Sequence, residues 1–94
     1  MGWHRVCIII PTLNEAETIG RVIDDIPRQA MEPGGYQVEV MVIDGGSTDG
    51  TRQIAEERGA RVVVEPRRGK GRAMRTALKL ADADFIFMLD GDYT

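Results

Sequence analysis

Four short apolar runs, each followed by a polar segment carrying glycine, proline or carboxylates, constrain this chain more than any other feature of it. Stretches of helical period lie between the runs, the order that strand, crossover helix and parallel strand produce in turn. The reading is βαβαβαβ, an α/β fold with a parallel sheet and flanking helices. Strands are expected at Arg5 to Ile10, Gln37 to Ile43, Arg61 to Val64 and Asp84 to Leu89. The first and last are nearly continuous in Ile, Val, Leu, Phe and Met, as expected of strands covered by helices on both faces.

The intervening segments carry their own punctuation. Ala16, Ile19, Ile23 and Ile26 recur at three- and four-residue spacing, Asn14 is expected to cap that helix, and Pro27 ends or kinks it before the breaker loop Glu32-Pro33-Gly34-Gly35. A second, short helix is expected to be capped by Ser47, Thr48 or Asp49 and stopped at Gly59. The third is expected from Gly71 to Ala81, with Ala73, Met74, Ala77, Leu78 and Ala81 toward the core and Arg72, Arg75 and Lys79 largely away from it.

Ninety-four residues make one domain, 1–94, at the small end of what one apolar core stabilises. A formal net charge of -3 argues against general affinity for nucleic-acid backbone, so any anion site must be local. With one histidine, His4, and one cysteine, Cys7, the chain offers no Ser-His-Asp, Cys-His or zinc-ligand constellation. Cys7 lies inside the first apolar run and reads as a small buried hydrophobe, which suits a reducing compartment and a cytoplasmic location.

In an open parallel sheet ligands bind where the strands end, because loops diverge there and leave a crevice. The segments after the four strands are Pro11-Thr12-Leu13-Asn14-Glu15, Asp44-Gly45-Gly46-Ser47, Glu65 to Gly71, and Asp90-Gly91-Asp92. All four converge on one sheet edge. Taken singly, each has an ordinary structural explanation, since Asn and Ser cap helices and Gly-Gly makes turns. Together they suit a ligand. Asp90 and Asp92 after an apolar strand would repel each other unless something positive sat there, and Mg²⁺ or Mn²⁺ suits a pair of hard carboxylate donors. Lys70, at the opening of the third helix, is a candidate phosphate partner. Asp44 either caps its turn or accepts hydrogen bonds from a ligand, and the ligand is favoured.

The ordered motifs Ile9-Ile10-Pro11-Thr12-Leu13-Asn14-Glu15-Ala16, Ile43-Asp44-Gly45-Gly46-Ser47-Thr48-Asp49-Gly50-Thr51, Gly69-Lys70-Gly71-Arg72-Ala73 and Leu89-Asp90-Gly91-Asp92 resemble family 2 glycosyltransferases, especially the dolichol-phosphate or polyprenol-phosphate mannosyl- and glucosyltransferase branch. The resemblance implies the Rossmann-like, nucleotide-binding half of a GT-A fold. It implies a nucleotide-diphosphate sugar of the GDP-mannose or UDP-glucose class, bordered by Pro11, Thr12, Asn14, Glu15, Asp44, Gly46 and Lys70. Asp90 and Asp92 would form the DXD motif that holds the metal. The sugar would pass, with inversion, to a dolichyl or polyprenyl phosphate at the cytoplasmic face of a membrane.

Two departures qualify the match. Gly45 stands where many relatives have a second acidic residue, leaving guanine and uracil both open. The family's catalytic domain continues past the DXD motif, so residues 1–94 are expected to be the N-terminal part of a longer domain, binding donor weakly and turning over little. A sugar nucleotidyltransferase and a non-catalytic nucleotide- or metal-binding module are the rival readings, and the edge of the fourth strand is a candidate homodimer contact.

Overall fold

The computed structural model describes residues 3–67 and 69–89. Four parallel strands form one sheet: β1 (His4–Thr12), β2 (Tyr36–Asp44), β3 (Arg61–Val64) and β4 (Phe85–Met88), in the order β3-β2-β1-β4. The order reverses beside β1, which places β1 at the switch point of a doubly wound sheet. The helices are α1 (Ile19–Asp24), α2 (Arg28–Met31), α3 (Thr51–Glu57) and α4 (Lys70–Leu80), with a 3-10 turn at Glu32–Gly34.

Alternation along the strands divides the core into two layers. Val6, Ile8 and Ile10 of β1 and Val40 and Val42 of β2 pack against Ile19, Val22 and Ile23 of α1 and Ala55 of α3. On the opposite face, Cys7, Ile9, Met41 and Ile43 pack against Ala73 and Ala77 of α4. Ile9, Ile10, Ile19 and Ile23 are wholly buried, and each such side chain contributes about 1.5–3 kcal/mol of hydrophobic stabilisation. Cys7 is buried as expected, and burial pushes its thiol pKa up.

β1 runs two residues past the expected Ile10, through Pro11 and Thr12, paired with Ile43 and Asp44. A proline is tolerated there for a geometric reason. Even-numbered residues of β1 bond toward β2, as Thr12 O does to Gly45 N at 2.9 Å, whereas odd-numbered residues bond toward β4, as Ile9 O does to Leu89 N at 2.9 Å. Pro11 therefore lacks an N–H on the β4 side, beyond the Ile9–Met88 pairing at which the described ladder ends.

Three local expectations differ from the structure. Asn14 does not cap α1: it sits at φ 52°, in the left-handed region, and α1 begins at Ile19 after a turn in which Glu15 O accepts the Thr18 and Ile19 amides. Leu78 is 53% exposed rather than core, while Met74 packs partly against the α4-side layer. β4 is covered on one face only, because Ile86 and Met88 meet the α4-side layer while Phe85 and Phe87 are 46% and 55% exposed. By contrast, α3 ends as its sequence implies. Gly59 at φ 85° closes a Schellman turn, with Ala60 N donating to Ala55 O and Gly59 N to Glu56 O, both at 3.0 Å.

Candidate functional site

The carboxyl ends of β1, β2 and β3 meet at one edge, and hydrogen bonds join their loops directly. Asp44, the last residue of β2, is 0% exposed. Its Oδ2 accepts the Gly46 and Ser47 amides at 2.9 and 2.7 Å, and its Oδ1 accepts the Ser47 hydroxyl at 2.5 Å and the Thr12 hydroxyl at 3.2 Å. Arg52 Nε approaches Oδ2 to 3.8 Å. Burying a carboxylate is costly unless such donors replace the lost water, and the turn geometry of Asp44-Gly45-Gly46-Ser47 supplies them. Asp44 is thus where the sequence places it, but its oxygens are engaged inside the chain rather than presented outward.

The loops after β1 and β2 are stapled together by side chains of Ser47, Asp49 and Thr51. The Asn14 amide donates to Ser47 Oγ at 2.8 Å, the Glu15 amide to Thr51 Oγ1 at 2.9 Å, and the Ala16 amide to Asp49 Oδ2 at 3.1 Å. In return the Thr48 amide donates to Asn14 Oδ1 at 2.9 Å. Three successive N–H groups that would otherwise open a helix are satisfied by the neighbouring loop, which is why α1 starts late. Asp49 also accepts the Thr51 amide at 3.1 Å and the Thr51 hydroxyl, although the cap position of α3 is held by Gly50, at φ 93°, and not by the expected Ser47, Thr48 or Asp49. The Thr51 hydroxyl, followed by the backbone amides, holds the Asp49 carboxyl below its ordinary range.

The loop after β3 joins the same edge through the Glu65 amide, which donates to Asp44 O at 2.8 Å. Glu65 is 7% exposed and gathers the loop around itself. It accepts the Arg67 amide at 3.1 Å, Arg67 Nε at 3.0 Å, Arg67 Nη2 at 2.5 Å and the Thr76 hydroxyl of α4 at 3.0 Å. The Arg67 guanidinium holds the Glu65 carboxyl down at about 2. Glu65 escaped the sequence reading, although a single carboxylate between an apolar strand and a basic loop is a usable signal for an ion-paired anchor. Thr51 and Asp49 escaped as cross-loop partners because their contacts lie 36 and 33 residues away.

Six of the expected site residues, Pro11, Thr12, Asn14, Glu15, Asp44 and Gly46, are gathered at this edge. The backbone of Lys70 opens α4 beside them, while its side chain lies outside what is described. Asp90 and Asp92 also lie outside the described residues, and β4 delivers the chain at Leu89 to the same edge. Among the described residues no three His, Cys, Asp or Glu side chains group to hold a metal ion. The surface left open is made by the half-buried Pro11, the 50% exposed Leu13, and glycines 46 and 69. Both glycines have positive φ, 103° and 111°, with nothing within 4 Å of an added Cβ. At Gly45 an added Cβ would meet Thr12 O at 3.4 Å, so the position has room for a Cβ.

Comparison with known proteins points the same way. The model of glycosyl transferase family 2 matches residues 7–94. Glycosyltransferase AglJ of Haloferax volcanii is 51% identical over 90 residues, covering 95% of this chain and 28% of the relative. RfbJ of Shigella flexneri is 39% identical over 90 residues, covering 96% of this chain and 66% of the relative. Among solved structures, glucosyl-3-phosphoglycerate synthase of Mycobacterium tuberculosis, in complex with Mn²⁺, UDP and glucosyl-3-phosphoglycerate, superposes with a TM-score of 0.79 at 35% identity. That match covers 95% of this chain and 34% of the synthase. Mannosyl-3-phosphoglycerate synthase of Rubrobacter xylanophilus superposes with a TM-score of 0.80 at 31% identity, covering 95% and 31%. The chain thus spans about a third of the length of these solved relatives.

Proposed function

The chain belongs to glycosyltransferase family 2, and from that premise we propose that its carboxyl edge binds the nucleotide-diphosphate sugar of a metal-dependent hexosyltransferase. The observation that carries the proposal is the fusion of the three loops into one hydrogen-bonded platform with Pro11, Leu13, Gly46 and Gly69 left open on it. A rigid, glycine-bearing edge lets a diphosphate approach backbone closely and costs little reorganisation when it does.

In this reading Pro11, Thr12, Asn14, Glu15 and Gly46 border the base and ribose. Asp44 acts from beneath them, shaping the turn, because its carboxylate is buried and fully engaged. Lys70 and the start of α4 face the diphosphate, with Glu65 and Arg67 fixing the loop between. Asp90 and Asp92 would hold Mg²⁺ or Mn²⁺, hard carboxylate oxygens being the donors such ions prefer. When bound, the cation neutralises the diphosphate leaving group.

The activity of the whole protein is proposed as transfer of the hexose, with inversion, to a dolichyl or polyprenyl phosphate at the cytoplasmic face of a membrane, residues 1–94 being the nucleotide-sugar-binding part. A phosphate acceptor is already anionic at neutral pH, so a strong general base is less necessary than for a sugar hydroxyl. Phosphoglycerate is the second reading, favoured by the acceptor named for the solved relatives. The exposed edge of β4 is a candidate contact between two copies.

Calorimetric titration with UDP-glucose, GDP-mannose and CTP, with and without Mn²⁺, tests the reading. A nucleotide sugar should bind only with metal, and Asp92→Ala should abolish that binding. Preference for CTP would favour a nucleotidyltransferase, and metal-independent binding would favour a plain nucleotide module.

A further inference from the structure

We propose that the outer face of α4 is a docking surface for an anionic lipid bilayer. The sequence of α4, Lys70-Gly71-Arg72-Ala73-Met74-Arg75-Thr76-Ala77-Leu78-Lys79-Leu80, contains no acidic residue in a chain that has Asp+Glu 15 against Lys+Arg 12. Ala73 and Ala77 point into the core, so Arg72, Arg75 and Lys79, three and four residues apart, form one outward stripe about 10 Å long. All three are exposed, and among the described residues no ion pair or hydrogen bond engages their side chains. Elsewhere arginines 5, 52, 58, 61 and 67 are each paired with a carboxylate. Among the described residues the cationic stripe is therefore uncompensated, in a chain of net negative charge.

Exposed apolar side chains accompany it. Leu78 is 53% exposed beside Arg75 and Lys79, and Leu80 is 40% exposed in the last turn. Guanidinium and ammonium groups flanked by leucine match the interface of an anionic membrane, where lipid phosphates meet the charges and acyl chains receive the leucines. Nucleic acid offers the phosphates without an apolar layer, and the overall charge of -3 disfavours it. Among the described residues no helix is long and apolar enough to cross a membrane. Docking of α4 on a bilayer is independent of donor binding, because it needs only a lipid surface.

Co-sedimentation of the chain with phosphatidylcholine vesicles, with and without phosphatidylglycerol, provides the test, with duplex DNA as a parallel arm. Binding is expected only to the anionic vesicles, weakening with added salt. R75Q/K79Q should weaken it roughly thirtyfold and Leu78→Ser severalfold, while helical circular dichroism and nucleotide binding stay at wild-type values. Wild-type chain left in the supernatant with anionic vesicles, equal pelleting of R75Q/K79Q, or tighter binding to DNA than to lipid would each overturn the proposal. Loss of nucleotide-sugar binding with lipid binding intact would count against the donor reading alone.

Discussion

Replacing Asp44 by alanine removes the acceptor on which four donors converge: the amides of Gly46 and Ser47 and the hydroxyls of Ser47 and Thr12. The two hydroxyls can turn toward other acceptors, but the amides are fixed by the turn. Each buried donor left without a partner costs about 1–3 kcal/mol, so the loss should total about 3–5 kcal/mol once partial water access at Gly46 is allowed for. The Arg52 contact, at 3.8 Å and with Arg52 43% exposed, adds little. For a domain this small such a loss is a large part of a total of about 5–15 kcal/mol and corresponds to a fall in Tm of roughly 15–30 °C. Asparagine should be milder, about 1–2 kcal/mol, because its carbonyl can keep both amides while its NH₂ donates to the hydroxyls. Urea unfolding followed by far-UV circular dichroism reads both values, and an unchanged m-value keeps the comparison two-state. Asp44→Ala within about 1 kcal/mol of wild type would refute the buried-anchor argument. So would an Asp44→Asn variant of wild-type stability that had lost nucleotide binding, since that places the carboxylate against the ligand.

The cross-loop staple and the Glu65 anchor give two further expectations. Asn14→Ala should cost about 2 kcal/mol, from one lost side-chain bond and the left-handed backbone, whereas Asn14→Gly should recover the backbone part; denaturant midpoints of the two variants measure the split. Glu65 has a carboxyl pKa lowered from 4.5 to about 2, so its stabilising contribution is complete above the unfolded value and is lost as pH falls from about 4.5 toward 2. Carbon-detected NMR titration should find the low value in wild type and a rise toward the ordinary carboxylate range in Arg67→Gln; an unmoved titration would show that Arg67 is not the cause.

The sheet was legible because apolar runs and turn residues are local signals. β1 to β4 lie where the runs Arg5 to Ile10, Gln37 to Ile43, Arg61 to Val64 and Asp84 to Leu89 place them, and their parallel order follows from the intervening helices. The ends were less legible. Pro11 reads as a strand terminator until one knows which neighbour its missing N–H faces. Asn14, Ser47 and Asp49 are residues that cap helices, and capping rules look three residues ahead, whereas the bonds by which they join the two loops span 33 or 34 residues. Leu78 has the spacing of a core residue but lies on the flank of a helix whose buried face is narrowed to Ala73 and Ala77. Asp44 ends β2, as its place after Val40 to Ile43 implies, yet whether a carboxylate at a strand end turns inward or outward depends on the donors the next loop folds over it.

Paramagnetic NMR with Mn²⁺ and UDP most directly tests the claim that one metal-bridged diphosphate sits at the carboxyl edge. Substoichiometric Mn²⁺ added with UDP should broaden the amides of Gly46, Gly69 and Leu89 at that edge and leave those of Gly35 and Ala83, at the opposite edge, sharp. Broadening centred on Gly35 and Ala83, or no UDP-dependent broadening at the carboxyl edge, would contradict the account.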